Sequence, residues 1–301
     1  MPYLQAIATD RKKCVRQLDT NIIKTELKAK DKKLKYFGLP GPDMVDCLTW
    51  KEYLQEIIAV EIEDKYIPYM FNTACLHKIE GILTVLYGDI DEIILSGQDK
   101  NGIKIDPLLP FNLVNLDYEG PLSTALGAAY SKRLEALRKL VMMQTEKKVE
   151  SWLLFVTYNI SPYRWREEYV EKLFETASKV IDEIRRYNVN IYTSLKQKLN
   201  YPYYNTSSLE EKVELLTLAL SVVVLNTVLK AGKFEIDLDN SFVVTYEGGF
   251  NAKMCHIALR LIRCEVLDTP TQYSQICELI TKKTFKLEKH NSELSLKPIL
   301  G

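Results

Sequence analysis

Three carboxylates, Glu61, Asp89 and Asp117, stand at the ends of short apolar runs: "EIIAVEI" (56 to 62), "ILTVLYGD" (82 to 89) and "FNLVNLDY" (111 to 118). Upstream of them, "LKYFG" (34 to 38) runs into "LPGPD", a turn holding Gly38 and Gly41 with Asp43 behind it. An acid that ends a strand can accept hydrogen bonds from ribose-like hydroxyls, and glycines at positive φ let a ligand approach the backbone. The turn is not G-x-G-x-x-G, and Pro40 and Pro42 remove two amide donors that a pyrophosphate would use. Asp43 falls where the next helix is expected to start, and a carboxylate there repels the phosphate that a helix N-terminus attracts. That opposes NAD, FAD and ATP. The same carboxylate suits a ligand with an ammonium group and no phosphate, and Asp46 on the same helix is placed to help. Asp43 could equally serve as the N-cap of that helix, which does not exclude the other role.

The elements that must position these residues follow from the period of the apolar residues. Runs at 34 to 38, 56 to 62, 82 to 89, 111 to 118 and 151 to 158 alternate with helical segments at 43 to 54, 65 to 78, 91 to 95 and from Ser123. The runs are apolar almost throughout, as in parallel strands covered on both faces. The expected fold class is therefore α/β, a Rossmann-like, mostly parallel sheet with helices on both faces. Open sheets of this kind bind ligands at the carboxyl ends of their strands, where the three acids fall. Residues 1–33 read as an N-terminal helical extension carrying Leu18, Ile22, Ile23 and Leu27, and residues 34–301 as the main domain. Within it, 161 to 230 reads as a helical insertion interrupted by "NYPYYNTSS" (200 to 208). A hairpin closes the pattern, with 242 to 246 and 255 to 264 flanking a Gly-Gly turn.

Composition narrows the function classes. The 301 residues hold 40 Lys plus Arg and 40 Asp plus Glu, so no whole-molecule field attracts nucleic acid or a membrane. A nucleic-acid partner would need the local lysine-rich stretches at 24 to 35 and 281 to 290, each of which also reads as a solvated face. The six cysteines are scattered without C-x-x-C or finger spacing, so no metal is expected, and the thiols read as free, buried and cytoplasmic. The N-terminus lacks the pattern of a signal peptide. The longest apolar run, from Leu215 to Leu229, is too short to cross a bilayer and includes Asn226, so no membrane association is expected. Trp50 and Trp152 read as core. "SPYRWRE" (161 to 167) reads as a helix start, or as a rim of Tyr163, Arg164, Trp165 and Arg166 above the site.

S-adenosylmethionine is a ligand with an ammonium group and no phosphate, and the motifs resemble those of the class I S-adenosylmethionine-dependent methyltransferases. "FGLPG" (37 to 41) is similar to that family's first motif, Glu61 to the acid of the second, and "LYGDI" to the third. The resemblance implies that Phe37, Gly38, Gly41, Asp43, Glu61, Asp89 and Ile90 bind the cofactor, with Tyr87 or Ile90 against the adenine. "NLVNLDYEGPL" is similar to the fourth, substrate-facing motif, which implies Asn115, Asp117 and Tyr118 as catalytic residues, with Pro121 beside them. Asp117 would take a proton or orient the acceptor, and Tyr118 would stack on a planar substrate or position the donor. The hairpin matches the sixth and seventh strands of the fold. Where the family carries an acid before the glycine turn, this chain has Lys35 or Tyr36, and the fourth motif is neither N-P-P-Y nor D-P-P-Y, so the acceptor atom is open. Three functions compete: a methyltransferase acting on nucleic acid or another macromolecule, a catalytically inactive binding or partner protein of the same fold, and a different Rossmann-like enzyme using a nucleotide. The second brings a partner protein or a homo-oligomer with it.

Overall fold

The protein is described from a computed structural model, which covers residues 9–118, 120–122, 129–187, 189–265, 268–290 and 293–300. Five strands form in the order of the apolar runs: β1 (Leu34–Gly38), β2 (Leu54–Glu61), β3 (Leu83–Tyr87), β4 (Leu113–Asp117) and β5 (Ser151–Asn159). They pair in parallel in the spatial order β3-β2-β1-β4-β5. The hairpin follows as β7 (Phe242–Glu247) and β8 (Lys253–Arg263), with the short β6 (Phe234–Ile236) also on β8. β8 inserts antiparallel between β5 and β7, so β7 runs parallel to the first five strands. β9 (Thr284–His290) then adds in parallel to β7, and β10 (Glu293–Pro298) pairs antiparallel with β9 at the edge.

Alternate residues of each central strand feed two cores. Tyr36, Ile57, Leu113, Leu153 and Phe155 face one side, where α1 (Asp10–Lys30), α2 (Val45–Trp50) and α3 (Ile67–Leu76) bring Ile22, Ile23, Cys47, Trp50 and Met70. Phe37, Ile58, Val114, Leu154 and Val156 face the other side. There they meet α4 (Ile90–Ser96), α5 (Ala129–Glu146), α6 (Glu167–Ile184), α9 (Leu209–Ala231) and α10 (Thr269–Lys282). The expected strand alternation and two helical layers are thus both present. Trp50 and Trp152 are core residues, at 1% and 0% exposed.

Several sequence expectations need correction. α2 begins at Val45 behind Met44, which holds φ 50° and makes no side-chain cap, so Asp43 does not cap the helix. The helical segment after Thr157 divides into α6, α7 (Val189–Lys198) and the short α8 (Tyr201–Thr206), the last inside the stretch read as a turn. α9 is 23 residues long, longer than its apolar run, and by length and composition alone would reach across a bilayer. Its apolar window is 78% buried against α5, α6 and α10, which makes it the central helix of its layer. Cys75 is exposed and Cys14 and Cys264 are half-buried, so only Cys47, Cys255 and Cys277 match the buried-thiol reading. Glu119 and the expected helix start at Ser123 lie outside the described residues.

A candidate cofactor cleft

The carboxyl ends of β1 to β4 surround a cleft of about 430 Å³. Its floor lies at the point where the strand order reverses, between β1 and β4, where open α/β sheets place their ligands. Glu61, the last residue of β2, is only 8% exposed, and its Oε1 accepts from the backbone N–H of Glu63 at 2.9 Å. Gly41 holds the β1 turn open at φ 67°. Asp89 caps α4 by accepting from the Glu92 N–H at 3.0 Å and lies 3.4 Å from the Lys132 ammonium. Val60, Ile62 and Ile90 supply apolar wall. Among the described residues the lining carries five carboxylates, Glu61, Glu63, Asp89, Asp91 and Asp117, against Lys65 and Arg133. Such a wall favours a cationic ligand and opposes a phosphorylated one.

Two of the acids belong to buried polar clusters. Asp91 accepts a 2.6 Å hydrogen bond from the Tyr118 hydroxyl, with the Arg133 Nε 3.6 Å from its other oxygen. Burial pushes the Asp91 carboxyl up, against the pull of Tyr118 and Arg133. The Tyr118 ring stacks on Tyr158, and the Arg133 guanidinium sits 4.3 Å above it. Burial, reinforced by Asp91, pushes the Tyr118 phenol well above its ordinary value, so it stays a neutral donor. Asp117, at the end of β4, is paired with Lys12 of α1, Nζ to Oδ2 2.8 Å. Burial pushes the Asp117 carboxyl up, but the Lys12 ammonium together with His256 and Arg16 holds it below the ordinary carboxylate range.

The Lys12 pair is the first rung of a polar ladder along the buried side of α1. Arg16 Nε donates to Asp46 Oδ1 at 2.5 Å, and the other Asp46 oxygen accepts from Asn115 Nδ2 at 3.0 Å. Asp19 lies 2.9 Å from His256 Nε2, whose Nδ1 meets the Thr157 hydroxyl at 2.8 Å. Glu26, wholly buried, accepts from Arg260 Nε at 2.9 Å and from the Ser151 hydroxyl at 2.7 Å. Each rung joins α1 to a central strand or to α2.

Six of the residues anticipated from sequence therefore line the cleft together: Gly41, Glu61, Asp89, Ile90, Asp117 and Tyr118. Phe37 points into the core and stacks on Phe111 at 4.4 Å. Gly38 lies beneath the turn, where a Cβ would stand 2.1 Å from the Asn115 carbonyl oxygen. Asn115 is 3% exposed and serves Asp46, and Asp43 is exposed outside the lining. Tyr87 is covered by the Lys100 ammonium, 4.6 Å from its ring. Tyr36 takes the place before the glycine turn with its hydroxyl fully buried, while Lys35 pairs with Glu56 at 2.9 Å. Trp165 donates to the Asn159 carbonyl and is 7% exposed, whereas Tyr163 is 70% exposed. In the lysine-rich stretches, Lys30, Lys35, Lys282, Lys283, Lys286 and Lys289 each have an acidic partner. Sequence reasoning missed Asp91, two residues beyond Asp89 in "GDIDE", along with Arg133 and Lys12. Lys12 carried no local signal, because its partner lies 105 residues away.

The strand order β3-β2-β1-β4-β5, the antiparallel β8 between β5 and β7, and a strand-end cleft at the switch point define a class I methyltransferase fold. The chain belongs to the PP_RS20740-like family, whose model matches residues 100–288. No curated protein matches the sequence. An O-methyltransferase from Bacillus cereus in complex with SAH aligns over 81% of this chain and 79% of its own, at 8% identity and a TM-score of 0.41. The methyltransferase domain of bacterial CtHen1 aligns over 81% and 97%, at 10% identity and 0.37. The YcgJ protein from Bacillus subtilis aligns over 82% and 100%, at 10% identity and 0.35. The fold assignment rests on the strand order rather than on these likenesses.

Proposed function

We propose that the protein is an S-adenosylmethionine-dependent methyltransferase that binds its cofactor in the cleft at the ends of β1 to β4. The observation that carries this reading is the chemistry of the lining, which is acidic, partly apolar and furnished with a strand-end carboxylate, Glu61, suited to ribose hydroxyls. A volume of about 430 Å³ falls within the range for small-molecule sites, and the excess of carboxylates suits a ligand whose sulfonium and ammonium outnumber its carboxylate. When bound, S-adenosylmethionine supplies an electrophilic methyl group for in-line displacement. Asp117, held ionised by Lys12, is fitted to orient an acceptor or to stabilise positive charge, and is a weak proton acceptor. Tyr118, tied to Asp91, is fitted to position rather than to exchange protons.

The experiment is isothermal titration of the purified protein with S-adenosylmethionine and S-adenosylhomocysteine, with NAD and ATP as controls. Micromolar binding of the adenosyl ligands alone, abolished by Glu61→Ala, is the expected result, and no binding would overturn the reading. A methyl-transfer assay with labelled cofactor against nucleic acid and protein then reports the acceptor. One observation favours the second reading, a partner protein of the same fold without turnover: Tyr36 stands where the family places an acid. Tight cofactor binding with no transfer to any acceptor would favour it.

A further inference from the structure

The carboxyl edge of the sheet carries a second cavity, of about 500 Å³, which has no described lining residue in common with the cleft. It opens where two strands part. β7 and β9 pair from 243 to 245 against 284 to 286. Beyond that point β7 turns into β8 while β9 runs on beside β10, and the gap between them lies against the first turns of α9 and α1. Val213, Tyr246 and Leu287 are buried and form an apolar inner wall, and Leu209, 63% exposed, extends it to the rim. One end of the cavity is charged. There the Glu247 carboxylate stands between two cations, Arg11 at 3.2 Å and Lys253 at 2.6 Å. Neither has another acid within 4 Å among the described residues, so this end carries one positive charge in excess. The two side chains are 28% and 35% exposed, within reach of a ligand. The lysines on the β9 side are matched more fully: Lys286 has Glu210, Glu214 and Glu288, Lys297 shares Glu288, and Lys289 has Asp10. An apolar cavity with a few convergent polar groups is the usual form of a small-molecule site, and a local excess of positive charge selects an anion. The acidic cleft at β1 to β4 has the opposite preference.

We propose that the cavity between β7 and β9 is a second ligand site, which takes a small molecule with an apolar body and a single carboxylate head. The head lies on Arg11 and Lys253, whose one excess positive charge matches it, and the body lies against Val213, Tyr246 and Leu287. The inference is independent of the cofactor reading, because the site is built by β7, β9, α9 and α1 and not by the strand ends of the cleft.

The test is isothermal titration of the purified protein with hexanoate, octanoate and decanoate, and with decanol and decylamine as the uncharged and cationic counterparts of decanoate. Decanoate should bind at one equivalent, and affinity should rise about fourfold per methylene along the series as each is buried. Decanol should bind about tenfold or more weakly than decanoate, for want of one charge-assisted hydrogen bond, and decylamine more weakly still. Arg11→Gln should weaken decanoate about tenfold and leave decanol unchanged. Leu209→Glu sets a carboxylate at the rim, where the first turn of α9 tolerates it, and should weaken decanoate more than decanol. On wild type alone, failure of decanoate to bind, an affinity that does not grow with chain length, or equal affinities for decanoate and decanol would each overturn the proposal, whatever the variants do. Unchanged decanoate binding in both variants would show that the ligand sits elsewhere and would overturn it as well.

Discussion

Replacing Arg16 with Met would test the polar ladder where it meets the cleft. The Arg16 and Asp46 side chains are 11% and 9% exposed, and removing the guanidinium leaves the Asp46 carboxylate with Asn115 as its remaining hydrogen-bond donor among those described. Breaking one partner of a buried pair costs about 3–5 kcal/mol, and the amide that Asp46 keeps puts the expected loss near the low end, about 3 kcal/mol. In Arg16→Met/Asp46→Asn the stranded charge is gone, and the amide oxygen introduced at position 46 can still accept from Asn115. The double variant should lose only about 1–2 kcal/mol, the scale of one or two net hydrogen bonds. Urea unfolding at pH 7 followed by circular dichroism gives both numbers. A further consequence is local: the Asn115 carbonyl accepts from the Leu39 N–H at 3.0 Å, so the single variant should also loosen the glycine turn and bind S-adenosylhomocysteine less tightly than the double. A double variant as unstable as the single one would show that the uncompensated carboxylate is not what the single variant suffers from, and the reasoning would be wrong.

Three further outcomes are expected. Gly38→Ala should lose about 3 kcal/mol or more in the same unfolding assay, because its Cβ meets backbone that cannot yield; Gly41→Ala faces open space and only a left-handed φ, costing about 1–2 kcal/mol. Asp117 has a folded-state pKa below its unfolded value, so its contribution is present above about pH 4 and is lost as the pH falls through the folded value; Asp117→Asn should flatten the acid limb of a stability profile below about pH 4 and leave its shape near neutrality unchanged. Arg260→Leu should destabilise by about 3 kcal/mol, the low end for a broken buried pair because Glu26 keeps Lys30 at 3.3 Å and the Ser151 hydroxyl, and Glu26→Leu in the same chain should recover part of that loss; thermal melts of both variants decide it.

The parallel half of the sheet was legible because buried strands are written as uninterrupted apolar runs with polar ends; Glu61 and Asp117 end their strands in the fold as in the sequence, and Asp89 stands two residues past β3 as the cap of α4. The last two strands were not legible. In "TFKLEKH" Leu287 faces the core and the half-buried Phe285 shares its side, alternating with Lys286 and Glu288, and the lysines suggested a solvated patch rather than a strand. α10 escaped because its start signal, Asp268 followed by Pro270, lay in a polar stretch that drew no attention. Part of the inner side of α1 was missed for a different reason. Apolar spacing pointed to Ile22 and Ile23, which are buried, and to Leu18 and Leu27, which are half-buried, but not to Asp19 and Glu26, which the fold also encloses. A charge can be buried only beside its partner, and the partners, His256 and Arg260, lie more than 200 residues downstream where no local pattern announces them.

That distance has a bearing on how the molecule is made. The ladder sets the earliest described helix against β8, so the Asp19 to His256 rung waits for 237 further residues, on the order of ten to fifty seconds of ribosomal elongation. Until then α1 carries Asp19 without His256 and Glu26 without Arg260, and docking it early would bury the Asp19 carboxylate without its partner and leave Glu26 with Lys30 alone on α1. The five parallel strands can assemble while the helix remains undocked, and the β4 rim gains Lys12 only once the C-terminal strands have emerged. A nascent chain arrested before β8 should hold its parallel strands and lack the His256 and Arg260 rungs that fix α1.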